Sequence, residues 1–348
     1  MENHKRGILV VNLGTPGGPE TKLVRKYLRQ FLMDPYVIDL PWIFRAILVY
    51  GIIAPFRGPK SSHSYQRIWH AEHGSPLLYY SERFVDKLRS MVEVPVELSM
   101  RYGDPGIEEG LRNLYQQNVD TLSCFLMYPQ YAESTTKTAV EIIQKSAYFK
   151  KFKSVCYNKD FYNWPGFIQP LVEEMSPHLI NADHLLLSYH GLPKNHLTKL
   201  DRSGGCLDKQ ECCDQPMERI SFCYKAQCYA TSRAITSALP TPISVSTSFQ
   251  SRLGDKWIGP YTDEVVKQLA EKGVKRLVVA CPAFTVDCLE TLEEIGMELK
   301  SQFLQLGGEG FQLVSCLNDR QQWVKNVAFA FKSEPDLWRN MGPLGNLV

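Results

Sequence analysis

An α/β fold of two similar, Rossmann-like doubly wound domains, with parallel sheets facing a central cleft, is predicted by three observations. Short apolar runs such as ILVVNL, LLLSY and LVVA show no polar alternation, the mark of strands buried on both faces. Segments of helical period lie between them, as crossover connections require. Three segments of the first half also return in the same order in the second, which points to a duplicated plan.

The first matched pair is ILVVNLGTP and LLLSYHGLP, which place Leu13 and Gly14 before Pro16, and His190 and Gly191 before Pro193. The second is VELSMRYGDP and ISVSTSFQSRLGD, each ending in an arginine and a glycine (Arg101 and Gly103; Arg252 and Gly254). The third is SCFLMYPQYAESTTKTAVEII and LVVACPAFTVDCLETLEEI, each a strand, a proline turn and a helix. Helices are expected at Tyr80 to Met91, Ile107 to Gln117 and Asp263 to Lys272. The domains are expected over 1–162 and 163–348, joined near Asn158 to Gly166.

With 44% hydrophobic and 22% charged residues, the 348-residue chain has an ordinary globular composition. Its 39 basic and 37 acidic side chains leave a net charge of +2, so no whole-molecule field favours nucleic acid. The start runs from a polar tip straight into a strand, so no export signal is expected. The longest lipophilic stretch, 41–56, contains Arg45 and lies between Pro41 and Pro55, too short to cross a bilayer. Its core can lie on a membrane surface, line an apolar ligand mouth or form a buried helix, with Trp42, Tyr50 and Phe56 as interfacial anchors in the first case.

Ligands of open α/β sheets bind at the carboxyl ends of the strands. There the second half delivers Ser188 and His190 into a Gly-Leu-Pro turn, and Asp287, Glu290 and Glu294 at helical spacing just beyond Pro282. Leu289, Leu292 and Ile295 form the expected apolar stripe of that helix. An imidazole and a carboxylate on two strand ends of one sheet suit proton transfer or metal handling. Asn12, Leu13, Arg101, Tyr102, Tyr128, Tyr131, Ser248, Arg252 and Phe284 also end strands or follow them. An aromatic wall with a few cations suits a flat, mostly apolar ligand bearing carboxylates.

Five of ten cysteines fall between Cys206 and Cys228, in a stretch of glycines and charges without apolar period. Such a loop lacks its own core, and metal-bound thiolates are the obvious staple. The spacing Cys206, Cys212, Cys213, Cys223 lacks paired Cys-x-x-Cys units, and zinc and an iron-sulfur cluster both remain open. Cys228 is the reserve ligand, because the stretch from Tyr224 onward has helical character. Cys124, Cys156, Cys281 and Cys316 sit in or beside apolar runs and behave as small hydrophobes.

Taken together, VVNLGTPGGP, VRKYLRQFLMDPYVIDLP, YQRIWHAEHGSPLL, VELSMRYGDP, YPQYAESTT, LLSYHGLP, SFQSRLGDKWIGPYTDE and DCLETLEEI resemble the blocks of ferrochelatases, in order and over nearly the whole chain. The resemblance implies two Rossmann-like domains around a porphyrin cleft and insertion of ferrous iron into protoporphyrin IX to give protohaem, the terminal step of haem biosynthesis. It implies that His190 and Glu290 are catalytic and handle the iron, with Asp287 continuing toward solvent. Leu13, Arg67, Arg101, Tyr102, Tyr128, Ser188, Trp257 and Phe284 are implied to bind the porphyrin. The lip at 41–56 resembles a membrane-facing element, implying a cytoplasmic protein, monomer or homodimer, in peripheral contact with the inner membrane.

The sequence departs from the family at Tyr189, where alanine is frequent, and at Cys288, where many members carry a second histidine. The cysteine-rich insertion at 203–223 resembles bacterial members with an internal 2Fe-2S cluster, implying Cys206, Cys212, Cys213 and Cys223 as ligands, with zinc as the alternative. The rival functions are coproporphyrin III ferrochelatase, a non-catalytic tetrapyrrole or metal carrier on the same frame, and an electron-transfer protein using the cysteines.

Overall fold

The computed structural model describes residues 5–201, 206–207, 212–214 and 221–341. Most of the insertion expected at 203–223 therefore lies outside the described residues, although Cys206, Cys212, Cys213 and Cys223 lie within them. The chain divides into two compact units, one drawn from 1–128, 133–159 and 319–348, the other from 129–132 and 160–318.

The first unit is built on β1 (Arg6–Gly14), β2 (Val96–Tyr102), β3 (Thr121–Leu126), β4 (Ser154–Asn158) and β9 (Trp338–Asn340), in the order β2-β1-β3-β4-β9. The second is built on β5 (His184–His190), β6 (Ser244–Gln250), β7 (Arg276–Ala280) and β8 (Gly310–Leu313), in the order β6-β5-β7-β8. Except for the antiparallel β9, every pairing is parallel. The three matched segments become β1 and β5, β2 and β6, and β3 and β7, so both sheets are wound in the same 2-1-3-4 order. Even the exits correspond: Met100 N–H donates to Pro105 O, and Phe249 N–H to Pro260 O.

Unalternated apolar runs mark these strands because helices cover both sheet faces. Leu9, Val11, Leu122, Cys124 and Leu126 are sealed in one core, and Leu186, Leu277, Val279, Ile295 and Phe303 in the other. The helices Ile107–Gln116 and Thr262–Glu271 stand where periodicity predicts them, but Pro76–Arg89 begins earlier than Tyr80. Pro76 lies in its first turn, where a missing N–H costs no hydrogen bond.

The last segment departs from the predicted 163–348 domain. The helix Gln321–Ser333 buries Trp323 against Phe84 and Phe125, with ring centroids 6.1 and 6.0 Å away. β9 then pairs with β4, Cys156 opposite Asn340. Residues 319–341 thus complete the first unit.

The lip is a helix Trp42–Ala46, a π-helical turn Ile47–Ile53 and a helix Ala54–Ile68. It is not a buried helix: Trp42, Ile43, Phe44, Ile47, Tyr50, Ile52 and Phe56 are all exposed, Phe56 by 77%. Among the described residues no helix is long and apolar enough to cross a membrane.

The register of β1 on β2 needs Gly14, which has φ +112° and sits where a Cβ would lie 1.7 Å from the Tyr102 carbonyl oxygen. Gly14→Ala is therefore expected to destabilise the protein by about 3 kcal/mol or more. Urea unfolding checks this, and a midpoint equal to that of the parent would contradict it.

Candidate active site at the second sheet

In the second sheet the order reverses between β5 and β7, the switch point at which doubly wound sheets bind ligands. His190 is the last residue of β5, and the chain leaving β7 passes Phe284 to reach Glu290. The imidazole is half-buried, its ring centroid 6.2 Å from that of Trp257 and 6.3 Å from that of Phe284. Burial pushes its pKa below the ordinary histidine value, while the neighbouring Glu290 carboxylate pulls it back up. Burial prevails, so the ring is neutral near pH 7 and able to accept a proton.

Glu290 opens a π helix, Glu290–Leu299. The wider turn changes the predicted stripes: Thr291, Ile295 and Leu299 are buried, whereas Leu289 and Leu292 are only half-buried. Glu290 and Glu294 stay half-buried, close to one alignment in either helix type. Glu294 accepts hydrogen bonds from Ser251 N–H (2.6 Å) and Ser251 Oγ (2.5 Å). Ser251 holds φ +62°, a left-handed conformation uncommon for a non-glycine residue, and so turns both donors toward the carboxylate. Burial still dominates and pushes the Glu294 carboxyl up to about 7.

Gln250 ties the parts together. Its Nε2 donates to the Glu290 carbonyl at 2.9 Å, and its Oε1 accepts from Ser188 Oγ at 2.8 Å. Ser188 and Ser248 both meet Thr262 Oγ1, at 2.8 and 2.9 Å. Sequence reasoning missed Gln250, Ser251 and Thr262: only the β5–β6 register sets Gln250 opposite His190, and only the folded chain brings Ser251 to Glu294 and Thr262 to Ser188.

Several predicted site residues take other duties. Asp287 does not lead toward solvent. It is buried, accepting from Asn318 Nδ2 (2.7 Å), Thr291 Oγ1 (3.0 Å) and Cys316 N–H (3.3 Å), and it fixes the entry to the π helix. Ser188 is fully buried in the network above and offers no surface to a ligand. In the first unit, Tyr102 is also fully buried and donates to Asp34 at 2.9 Å. Arg101 forms a buried ion pair with Asp34 and donates to Thr138 Oγ1 at 2.8 Å, so its charge is already matched. Arg252 pairs with Asp263 (2.8 Å) and Glu264 (3.0 Å). Leu13 is half-buried near the end of β1, Arg67 is exposed in the last turn of Ala54–Ile68, and Tyr128 is buried just beyond β3. Tyr128 Oη has no hydrogen-bond partner among the described residues. His190, Glu290, Glu294, Trp257 and Phe284 are half-buried and form the partly accessible chemistry of the second unit.

Among the described residues no three of His, Cys, Asp and Glu are assembled as a ready metal site. The four loop cysteines nevertheless act on one another. Cys212 Sγ and Cys213 Sγ are 4.0 Å apart. Cys206 and Cys213 are each pushed up to about 12, by burial first and then by neighbouring thiols: Cys223 and Cys212 for the former, Cys212 and Cys223 for the latter. Burial and neighbouring thiols keep Cys206 and Cys213 neutral, and thiols are the donor type that a thiophilic cation or an iron-sulfur unit requires. Cys228 lies on the helix Tyr224–Ala238, fully buried, its thiol raised well above the ordinary value by burial.

The ferrochelatase family model matches residues 5–334. The ferrochelatase of Legionella pneumophila (strain Philadelphia 1) is 44% identical over 328 residues, covering 93% of this chain and 97% of that one. The ferrochelatase of Pseudomonas fluorescens (strain Pf0-1) is 44% identical over 342 residues, covering 96% and 99%. Among solved structures, SirB from Bacillus subtilis with Fe3+ superposes with a TM-score of 0.55 at 12% identity, covering 93% of each chain. The cobalt complex of the sirohydrochlorin chelatase SirB from Bacillus subtilis subspecies spizizenii gives 0.53 at 12%, covering 95% and 97%. At that identity the likeness is one of fold.

Because the native state keeps the Glu294 proton up to about pH 7 and an unfolded glutamate releases it near its ordinary value, stability should fall as pH rises from about 5 to 8. Glu294→Gln keeps the neutral form at every pH. Its melting temperature should match the parent at pH 5 and exceed it by about 2–4 °C at pH 8. Equal pH slopes for the two proteins would contradict this.

Proposed function

The chain belongs to the ferrochelatase family, and from that premise we infer that His190 and Glu290 are the groups through which it inserts ferrous iron into protoporphyrin IX, releasing two protons. The observation that carries this reading is the place of His190, at the end of β5 near Glu290 and within 6.2 and 6.3 Å of the Trp257 and Phe284 rings, at the switch point of a doubly wound sheet.

Two barriers stand against metalation: the pyrrole nitrogens point into the plane of a rigid ring, and the ion must shed water. A site that binds the bent macrocycle better than the flat one turns binding energy into distortion and presents the nitrogens to one face. Trp257 and Phe284 supply flat apolar surface for that grip. His190 accepts a pyrrole proton at a ring nitrogen, which needs a ring that starts neutral. Glu290 stabilises the imidazolium so formed and offers a carboxylate to the incoming ion. Glu290 then takes that proton from the imidazolium, and Glu294, its carboxyl raised to about 7, accepts it from Glu290 and releases it to solvent, so that one passage of the relay carries away each of the two pyrrole protons. Gln250 fixes the backbone carbonyl of Glu290, and Ser251 fixes the carboxylate of Glu294, along the π helix. Asp287 acts on this path only by positioning it.

The four cysteines Cys206, Cys212, Cys213 and Cys223 hold a 2Fe-2S cluster, in this reading, with zinc as the alternative occupant. When bound, the cluster supplies one-electron redox chemistry or structural closure of the loop, outside the insertion step. The exposed lip, Trp42 to Phe56, makes a peripheral membrane contact suited to a hydrophobic substrate and product.

His190→Ala should lower anaerobic insertion of ferrous iron by about 10²-fold or more while leaving porphyrin affinity, read by fluorescence quenching, within a few-fold. Turnover within about twofold of the parent would refute the assignment. Glu290→Gln should depress kcat far more than it changes KM for porphyrin, and an unchanged rate would remove Glu290 from the mechanism. For the lip, Trp42→Ser with Phe56→Ser should reduce sedimentation with phospholipid vesicles; parental co-sedimentation would contradict the membrane contact.

A further inference from the structure

The exposed lip is bordered by cations that carboxylates do not match. From 21 to 68 the acidic residues are Asp34 and Asp39. Asp34 is buried and paired with Arg101, which leaves Asp39 as the exposed acid of this stretch. Against it stand Lys26, Arg57 and Lys60, all exposed, and Arg29, half-buried. Among the described residues none of these four has an ion pair, whereas Arg83, Arg233 and Arg252 elsewhere each meet a carboxylate at 2.7–2.8 Å. The fold sets the unmatched charges beside the apolar side chains. The Arg29 guanidinium lies over the exposed Tyr50 ring, 5.4 Å from its centroid, and its Nε is buried without a hydrogen-bond partner among the described residues. Lys26 precedes Arg29 by three residues and so shares its side of the helix Thr21–Leu32. Arg57 follows Phe56, and Lys60 stands one turn further, on the Phe56 side of the helix Ala54–Ile68. Pro59 in that helix has no N–H to offer the Pro55 carbonyl. Arg25 Nη2 donates to it instead at 3.0 Å, and Arg25 Nε donates to Ala54 O at 3.2 Å, which fastens the cationic helix to the lip.

We propose that the surface the lip meets is an anionic phospholipid bilayer, with Lys26, Arg29, Arg57 and Lys60 holding headgroup phosphates around the inserted apolar side chains. The inference rests on the reading of the lip as a membrane contact and names the lipid class that this contact selects. Apolar side chains such as Trp42, Phe44, Ile47 and Phe56 give affinity for any bilayer and do not tell one from another. Cations do, because each Lys or Arg near an anionic surface favours binding about fivefold at low salt. The planar fork of Arg29, set on an aromatic ring, matches the oxygens of a phosphate in a way that a point charge does not. A second copy of this chain is a poorer cover for the same face. A two-fold interface sets a patch against itself, and here it would bring these cations against their own copies.

The test measures co-sedimentation of the full chain with two kinds of vesicle, phosphatidylcholine alone and phosphatidylcholine with added phosphatidylglycerol. At low salt the parent should bind the anionic vesicles about tenfold or more tighter than the neutral ones, and the difference should shrink as salt rises. Lys26→Gln with Arg29→Gln should weaken binding to anionic vesicles about tenfold or more and leave binding to neutral ones unchanged. Arg57→Gln with Lys60→Gln, on the other helix, should do the same, so the result does not depend on one variant's folding. Equal binding of the parent to the two kinds of vesicle would overturn the proposal while leaving the membrane contact in place. Binding to neither would refute the membrane contact itself, and the proposal with it. An anionic preference undiminished in both variants would place the selectivity elsewhere and overturn the proposal as well.

Discussion

Parallel pairing of β5 with β7, Leu187 opposite Ala280, is the constraint on which the functional half of the molecule depends. It sets the level at which each strand stops. β5 continues beyond that level to His190, while β7 ends at Ala280 and gives way to a turn and then the π helix. Shifting that register by one residue would turn every side chain of β5 to the opposite face and take the imidazole with it. The register is held by side chains that cannot be exposed without large cost: Leu185, Leu186, Leu187 and Val279 are all fully buried.

On that base, the chemistry is one of graded burial. His190 is buried enough to remain neutral, Glu294 enough to titrate near neutrality, and Asp287 is enclosed among Asn318, Thr291 and the Cys316 N–H. Three acidic residues that look alike in sequence thus have different duties. Asp287 builds the entry to the helix, whereas Glu290 and Glu294 remain at its accessible side. Cys288 is buried beside Glu290, and its thiol is held neutral by burial and by that carboxylate. It contributes packing and a weak donor where an imidazole would contribute a base.

Much of the fold was legible because parallel strands covered on both faces leave unbroken apolar runs, and because a duplicated plan repeats its landmarks. ILVVNLGTP and LLLSYHGLP announce equivalent strands through pattern alone. That His190 and Glu290 lie near each other was legible for the same reason, each standing beyond such a run. The rest depends on contacts distant in sequence or on slips of backbone hydrogen bonding that no residue type announces. Arg101 meets Asp34 across 67 positions, a pairing that no local pattern announces. The π turn moves Leu289 and Leu292 out of the buried stripe without a distinctive residue to mark it. β9, only three residues long, is too short for any periodicity, so the return of the C-terminal segment to the first unit could not be read from pattern.

In the mechanism proposed above, the imidazole of His190 and the carboxylate of Glu290 act as one unit in removing protons from the macrocycle. A double-substitution cycle on the single-turnover rate of anaerobic iron insertion, with His190→Ala, Glu290→Gln and both together, tests it most directly. If the pair is one unit, the double variant is no slower than the worse single variant. Losses that multiply would show two independent contributions and contradict the claim.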